Sequence, residues 1–382
     1  MTMRVDEEIR GRLERSLRIV EAPSSRVEPV VRRARSLRRQ HRAVALIVVV
    51  IGIVAVVGPL VLLWPLGDRD DVAEVGPVAE PGRLVVSDRV LVAPGITDVV
   101  TGFGSVWVTG NNGVTRIDPA SNAVIAHIPV PGTGDYSHIA VGEGSVWVTA
   151  PELRSDGSRG NLVRVDPDTN EIATTIHIGG PIEYIAAGGG SMWVTLPDAG
   201  ASTVFRVDPG NDRVIGSVPL AEDSGPVVFG EGSVWVTNLG IGGYVTTEID
   251  PTIGEVVDTL EVPSVQAVGD GSLWSATGDS VLRIDPASGS VRARIPIPRA
   301  QTVGFDGSTV WVLVSPRSSD PDLFYPIEGT AAVLRIDPST DRVFGEPVAL
   351  DDLQPIAMVA DDQGVWVADY DEGILSRIEV AR

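Results

Sequence analysis

From residue 83 onward, apolar positions recur in short alternating runs, and the runs themselves repeat. The unit Gly104-Ser105-Val106-Trp107-Val108-Thr109 returns at 144–149, 190–195 and 232–237, and in looser form around Trp274, Trp311 and Trp366. The seven tryptophans of these units lie 40, 46, 42, 39, 37 and 55 residues apart. A period near forty residues, built on β-branched strand formers, predicts a β-propeller with one blade per repeat. In the second repeat, residues 138–141 read as the inner strand and 145–149 as the next, with 162–166 and 171–178 completing a four-stranded unit. Asp-Pro turns such as Pro167-Asp168-Thr169-Asn170 connect the outer pair, because Pro presets φ and Asn tolerates positive φ. The last repeat has three strands after Gln354, while an extra strand at 84–92 precedes the first inner strand. The expected fold is all-β: a seven-bladed β-propeller whose N-terminal strand closes the last blade.

Upstream of the repeats the pattern changes. Residues 43–66 form an uncharged run of 24, rich in Val, Ile and Leu. About 20 apolar residues span a bilayer, so a single transmembrane helix is expected. Residues 1–42 carry 12 Arg against 6 acids, whereas 68–382 carry 18 Arg against 45 acids. That asymmetry places the N-terminus in the cytoplasm and the propeller outside it, at the cell membrane. A cleaved signal peptide fits less well, because the leader is long and no Ala-x-Ala site follows. The expected organisation is a cytoplasmic Arg-rich tail (1–42), a membrane span (43–66), a flexible linker (67–82) and the propeller (83–382). The basic run at 32–42 suits contact with anionic lipid or docking of a cytoplasmic partner. The tail resembles the short cytoplasmic ends of membrane proteins of the anti-sigma type.

Charge and composition exclude several classes. With a net charge of −27 over residues 68–382 this part of the chain repels phosphates, so nucleic acid is not an expected partner. The chain has no Cys, which excludes disulfides, thiolate metal sites and a cysteine nucleophile. No Ser/His/Asp arrangement, phosphate-binding loop or His-rich metal motif is visible.

The tryptophans, Gly turns and Arg-x-Asp-Pro units recur too faithfully to form a singular site, so they read as scaffold. Function is expected where the repeats differ. Aligned on Trp, the residues starting the inner strands are Asp98, His138, Tyr184, Pro226, Val265, Gln301 and Pro355. They surround one mouth of the channel, polar over the first three repeats. Asp98, Tyr136, Tyr184 and Gln301 are the candidate ligand-binding residues. The second-to-third-strand loops at 151–161, 196–203, 238–245 and 315–332 face the same way. The longest loop holds Asp320, Asp322, Phe324, Tyr325 and Glu328, and is a candidate lid. His127 and His177 fall in outer strands and read as surface residues. This pattern points to a membrane-anchored binding or scaffold module that meets a cell-surface ligand or protein partner.

The repeats, with Gly-Ser-Val-Trp-Val-Thr followed by Arg-Ile-Asp-Pro-Ala-Ser-Asn and Val-Ile-Ala-His-Ile-Pro-Val-Pro, resemble the bacterial propellers of the virginiamycin B (streptogramin B) lyase type. The resemblance covers about 83–382. It implies an alternative, a metal-dependent lyase or hydrolase using Mg²⁺ or another divalent cation. In that family a metal-binding Glu stands two residues before a catalytic His, and a second Glu fourteen residues after it. Here His138 and Glu152 keep the second spacing, giving a candidate base and a metal carboxylate. Tyr136 occupies the first carboxylate position, with Asp135 beside it as the remaining candidate ligand.

Overall fold

The Gly-containing hairpins at the ends of the first five inner strands turn on two residues of positive φ. Phe103 (52°) precedes Gly104 (65°), and Glu143 (51°) precedes Gly144 (77°). Two successive positive values define the tight turn that matches strand twist. The β-branched runs that flank these turns pair as antiparallel strands. A computed structural model describes residues 82–151, 160–197, 202–220, 223–240, 243–315, 330–351, 353–361 and 364–381. The expected tail, membrane span and nearly all of the linker lie outside the described residues, as do Glu152 and loop residues 316–329. Among the described residues there is no helix, and hence none long and apolar enough to cross a membrane.

The described chain is all-β and propeller-like. Consecutive strands make four-stranded sheets spanning residues 96–128, 139–177, 185–219 and 223–260, here the first to fourth sheets. Residues 267–350 form one seven-stranded sheet, because Val291–Phe305 runs on continuously and pairs with Gly278–Ile284 through its first part and Val310–Val314 through its second. Arg299 (φ 65°) lies near the changeover. In the closing sheet, Leu84–Leu91 pairs antiparallel with Ile374–Val380, so the N-terminal strand completes the last sheet as expected. Inner strands contact their neighbours in chain order, and Pro355–Asp361 contacts Ile96–Gly102, which makes the ring continuous.

The core lies between sheets. Trp107 packs among Ile139, Val146 and Val148 of the second sheet, and Trp147 among Ile185, Met192 and Val194 of the third. The relation continues until Trp366 meets Val99, Val106 and Val108 of the first sheet. Trp107, Trp147, Trp193, Trp235 and Trp274 each donate the indole N–H to the carbonyl of the glycine five residues earlier. A buried indole without that acceptor would carry an unpaired donor.

The Arg-x-Asp-Pro units tie neighbouring sheets together on the opposite face from the channel mouth. Arg116 lies 4.7 Å from the Trp107 ring, and its Nε donates to Ser105 at 2.8 Å. Its Nη1 crosses to the second sheet and donates to the Pro167 carbonyl and to Asn170 Oδ1 at 2.5 and 2.9 Å. Arg164 repeats the bond pattern onto Pro209 and Asp212, and Arg283 onto Pro338 and Asp341. A β-bulge follows each of Arg116, Arg164, Arg206 and Arg283 where the third strand meets the fourth, a local kink repeated through the scaffold. In the fourth sheet Glu248 stands in the arginine's place and accepts from Ser233 within its own sheet at 2.6 Å.

Candidate functional site

With the Trp and Arg side chains committed to the scaffold, the residues that break the repeat converge at the channel mouth. Asp98, on the inner strand of the first sheet, accepts at Oδ2 from His138 Nδ1 and from the Ile139 backbone N–H, each at 3.2 Å. Its Oδ1 accepts from the Val99 N–H at 2.8 Å. The His138 ring lies 4.5 Å from the Tyr184 ring at an interplanar angle of 31°. Neighbouring sheets therefore contribute one residue each to the row Asp98, His138, Tyr184. The scaffold threonines hold this row in place: Thr149 Oγ1 accepts from the His138 N–H at 2.8 Å, and Thr195 Oγ1 from the Tyr184 N–H at 3.1 Å. Thr97 Oγ1 donates to the Ser137 carbonyl at 2.7 Å and fixes the spacing of the first two sheets beside the pair.

The Asp98 contact orients the imidazole through Nδ1, so Nε2 is the ring atom left to meet a ligand. Tyr184 is pressed into a half-buried position, and that burial, with the neighbouring Glu183 carboxylate, pushes its phenol well above the ordinary range. It stays neutral and acts as a donor.

The remaining predicted residues are placed differently. Tyr136 is 63% exposed. Asp135 accepts at 2.7 Å from the hydroxyl of Tyr370 in the closing sheet, a bond that raises the tyrosine's pKa. Gln301 donates toward the Pro355 carbonyl at 3.4 Å and receives Gln266 Nε2 on its own carbonyl at 3.3 Å, while its side-chain Oε1 is buried without a hydrogen-bond partner. Val265, expected among the residues around the mouth, is fully buried in the cluster of Trp235, with its backbone N–H donated to Thr237 Oγ1 at 3.2 Å. His127 and His177 are surface residues on outer strands, as expected, with Nδ1 bonded to Thr115 and Asn161. Among the described residues no three His, Asp or Glu side chains form a group able to hold a metal ion. Glu152, the proposed metal carboxylate, is outside the described residues. The described donors alone therefore do not make a divalent-cation site.

Most of one expected loop is paired strand instead. Residues 238–245 continue the strands Ser233–Gly240 and Gly243–Asp250, with Leu239 opposite Tyr244 and Gly240 opposite Gly243. Gly243 has φ 122°, a conformation open to glycine, where the second of the two paired strands begins. Asp223–Gly230 follows the extension, pairing Asp223 with Leu239. The fourth sheet thus rises past the mouth and walls a cleft of about 480 Å³, shared with Glu183, Tyr184 and Pro197 of the third. Glu183, Asp223 and Tyr244 were not legible as site residues, because only the pairing of these extended strands brings them together.

No family model matches the chain, and no curated protein matches it. Among solved structures, it is similar to the extracellular domain of a putative one-component system from B. thetaiotaomicron, with a TM-score of 0.54 and 16% identity. That match covers 78% of this chain but 43% of the other, so the likeness spans less than half of the neighbour's length. Hydrazine synthase from Kuenenia stuttgartiensis matches at a TM-score of 0.48 and 16% identity, over 64% of this chain and 75% of that one. At such identities the likeness concerns the fold.

Proposed function

We propose that this chain is a membrane-anchored, extracytoplasmic recognition module that binds a cell-surface ligand or protein through the channel mouth. The observation that carries this reading is the row Asp98, His138 and Tyr184, three unlike residues at the starts of adjacent sheets, with His138 and Tyr184 held by equivalent scaffold threonines and Asp98 bonded to His138. In this reading residues 83–382 form seven blades, with Val291–Phe305 serving as the outer strand of one and the inner strand of the next. Residues 43–66 are the single span, 67–82 the linker, and 1–42 a cytoplasmic tail available to a partner. The uncharged run and the arginine asymmetry support that topology. The likeness to an extracellular domain of a one-component system is in keeping with a sensing or binding role.

The absence of cysteine makes the topology simple to test. Ser16→Cys probes the tail, and Ser121→Cys probes an exposed turn of the first sheet. A membrane-impermeant maleimide applied to intact cells should label the Ser121 variant alone. Labelling of the Ser16 variant, or recovery of the protein without membranes, would sink the reading.

One observation favours a second reading. A carboxylate bonded to Nδ1 of a histidine is the arrangement of an oriented general base. His138 with Asp98, joined by Glu152 and Asp135 around Mg²⁺ or another divalent cation, would then act as a lyase or hydrolase of the virginiamycin B lyase type. Thermal unfolding in EDTA, Mg²⁺, Ca²⁺ and Mn²⁺ decides between the two. A cation at 100 times its Kd should add about 2.7 kcal/mol. Loss of that rise in His138→Ala with Glu152→Ala supports the enzyme, and no rise in the native chain retires it.

A further inference from the structure

We propose that the cleft between the third and fourth sheets binds a small organic cation: an ammonium or guanidinium group carried on an apolar body. The inference rests on the mouth face being a recognition surface, and it names the chemistry that this surface selects.

Four features converge. The cleft is lined by two carboxylates, Glu183 and Asp223, and two phenol rings, Tyr184 and Tyr244, with no Arg or His among the described residues of its wall. Carboxylates desolvate poorly unless a cation meets them, and the faces of tyrosine rings attract cations. The rest of the wall is apolar or small, including Pro197, Pro226 and Leu239, which suits the hydrocarbon part of such a ligand. Finally, Tyr244 and Leu239, paired at the extended ends of their strands, are 52% and 55% exposed. Large apolar side chains that sit opposite one another in a polar-rimmed cleft are a common mark of a binding site.

The volume, about 480 Å³, is within the range of small-molecule sites, roughly 300–1,000 Å³. Tyr184 links this cleft to the Asp98–His138 pair, since its ring stacks on the imidazole while also lining the cleft. A ligand seated against Tyr184 therefore presses on the residues that carry the proposed recognition function.

The test uses the full-length chain in detergent and isothermal titration with choline, benzyltrimethylammonium and agmatine. The neutral carbon isostere of choline, 3,3-dimethylbutan-1-ol, is the control. At least one cation should bind saturably, and choline should bind about tenfold more tightly than its isostere. Tyr244→Leu and Asp223→Asn should each weaken binding by about tenfold. Their melting temperatures should not move, because both side chains are exposed. Added salt should weaken binding in the native chain and less so in Asp223→Asn. Absence of saturable binding by all three cations overturns the inference, as does equal affinity for choline and the isostere. A neutral ligand such as a disaccharide that binds natively and is lost in Tyr184→Ala would overturn the cation while leaving the mouth-face reading intact. The surface-labelling outcome is independent of both.

Discussion

Arg377 donates from Nη1 to the carbonyl of Pro119 at 2.5 Å, joining the last sheet to the first across most of the chain. The same guanidinium lies 5.3 Å from the Trp366 ring and pairs with Glu379 at 2.8 Å. It is the latch of Arg116 and Arg164 used once more, at the point where the ring must shut. Arg377→Ala removes a charge-assisted bond and a cation–π contact together, and should lower stability by about 2–3 kcal/mol. Arg377→Lys should recover only a minor part, because an ammonium has no planar fork to serve both ring and carbonyl. Urea unfolding midpoints of the two variants check this, and equal stability of all three proteins would contradict it.

Closure also depends on Leu84–Leu91, which covers the edge of Ile374–Val380. A chain shortened to begin after residue 91 should expose that edge and self-associate, since an unpaired strand is a template for another. Arg335, whose Nη2 donates to the Gly82 carbonyl at 2.7 Å, would lose its acceptor as well. Light scattering and size-exclusion chromatography report the outcome. A monomeric, fully folded product would show that the N-terminal strand is dispensable.

The Asp-Pro turns should make the ring sensitive to acid. Hydrogen bonds from Ser121 and the Ala120 N–H hold the Asp118 carboxyl below its usual range, and bonds from Asn211 and the Gly210 N–H do so for Asp208. Backbone N–H groups of Thr169 and Asp168 lower Asp166, and Ser339 lowers Asp337. A carboxyl with a depressed folded pKa contributes stability that is present at neutral pH and lost as pH falls through the folded value. The melting temperature should therefore hold from pH 7 to about 5 and fall below about 4. Replacing the four aspartates by Asn should flatten that decline, and an unchanged slope would refute the assignment.

At the mouth, Asp98→Ala should cost about 1–3 kcal/mol, because the Ile139 and Val99 amides and the His138 ring lose their common acceptor. Tyr184→Phe keeps the ring against His138 and should be close to neutral for stability. Imidazole nitrogen chemical shifts should move in Asp98→Ala and stay in place in Tyr184→Phe. Unmoved His138 resonances in the first variant would mean that the pair does not form in solution.

The tryptophans carry the largest single contributions. Trp193 is fully buried among Val227, Val234 and Val236 of the next sheet, and Trp193→Ala should cost about 3–5 kcal/mol. Thermal unfolding of that variant measures it, and a loss below 1 kcal/mol would argue against the tryptophan as the joint between sheets.

The order of strands, the closing N-terminal strand and the structural role of Trp and Arg were legible from sequence, because short-range patterns dictate them. Val and Thr runs set strands, paired positive-φ residues set hairpins, and a repeat that buries one face only against its neighbour has to stack in an array. Asp98, His138 and Tyr184 could be placed on one face for the same reason, since the repeat fixes where each inner strand starts. Tertiary structure alone decided which side chains meet. Asp135 turned to Tyr370, Val265 withdrew into the cluster of Trp235, and Leu239 paired with Tyr244 on extended strands that set Tyr244 in the same cleft as Tyr184. These contacts join residues from different sheets through small shifts in register and strand length. A pattern of spacing carries no information about distances across the space between repeats.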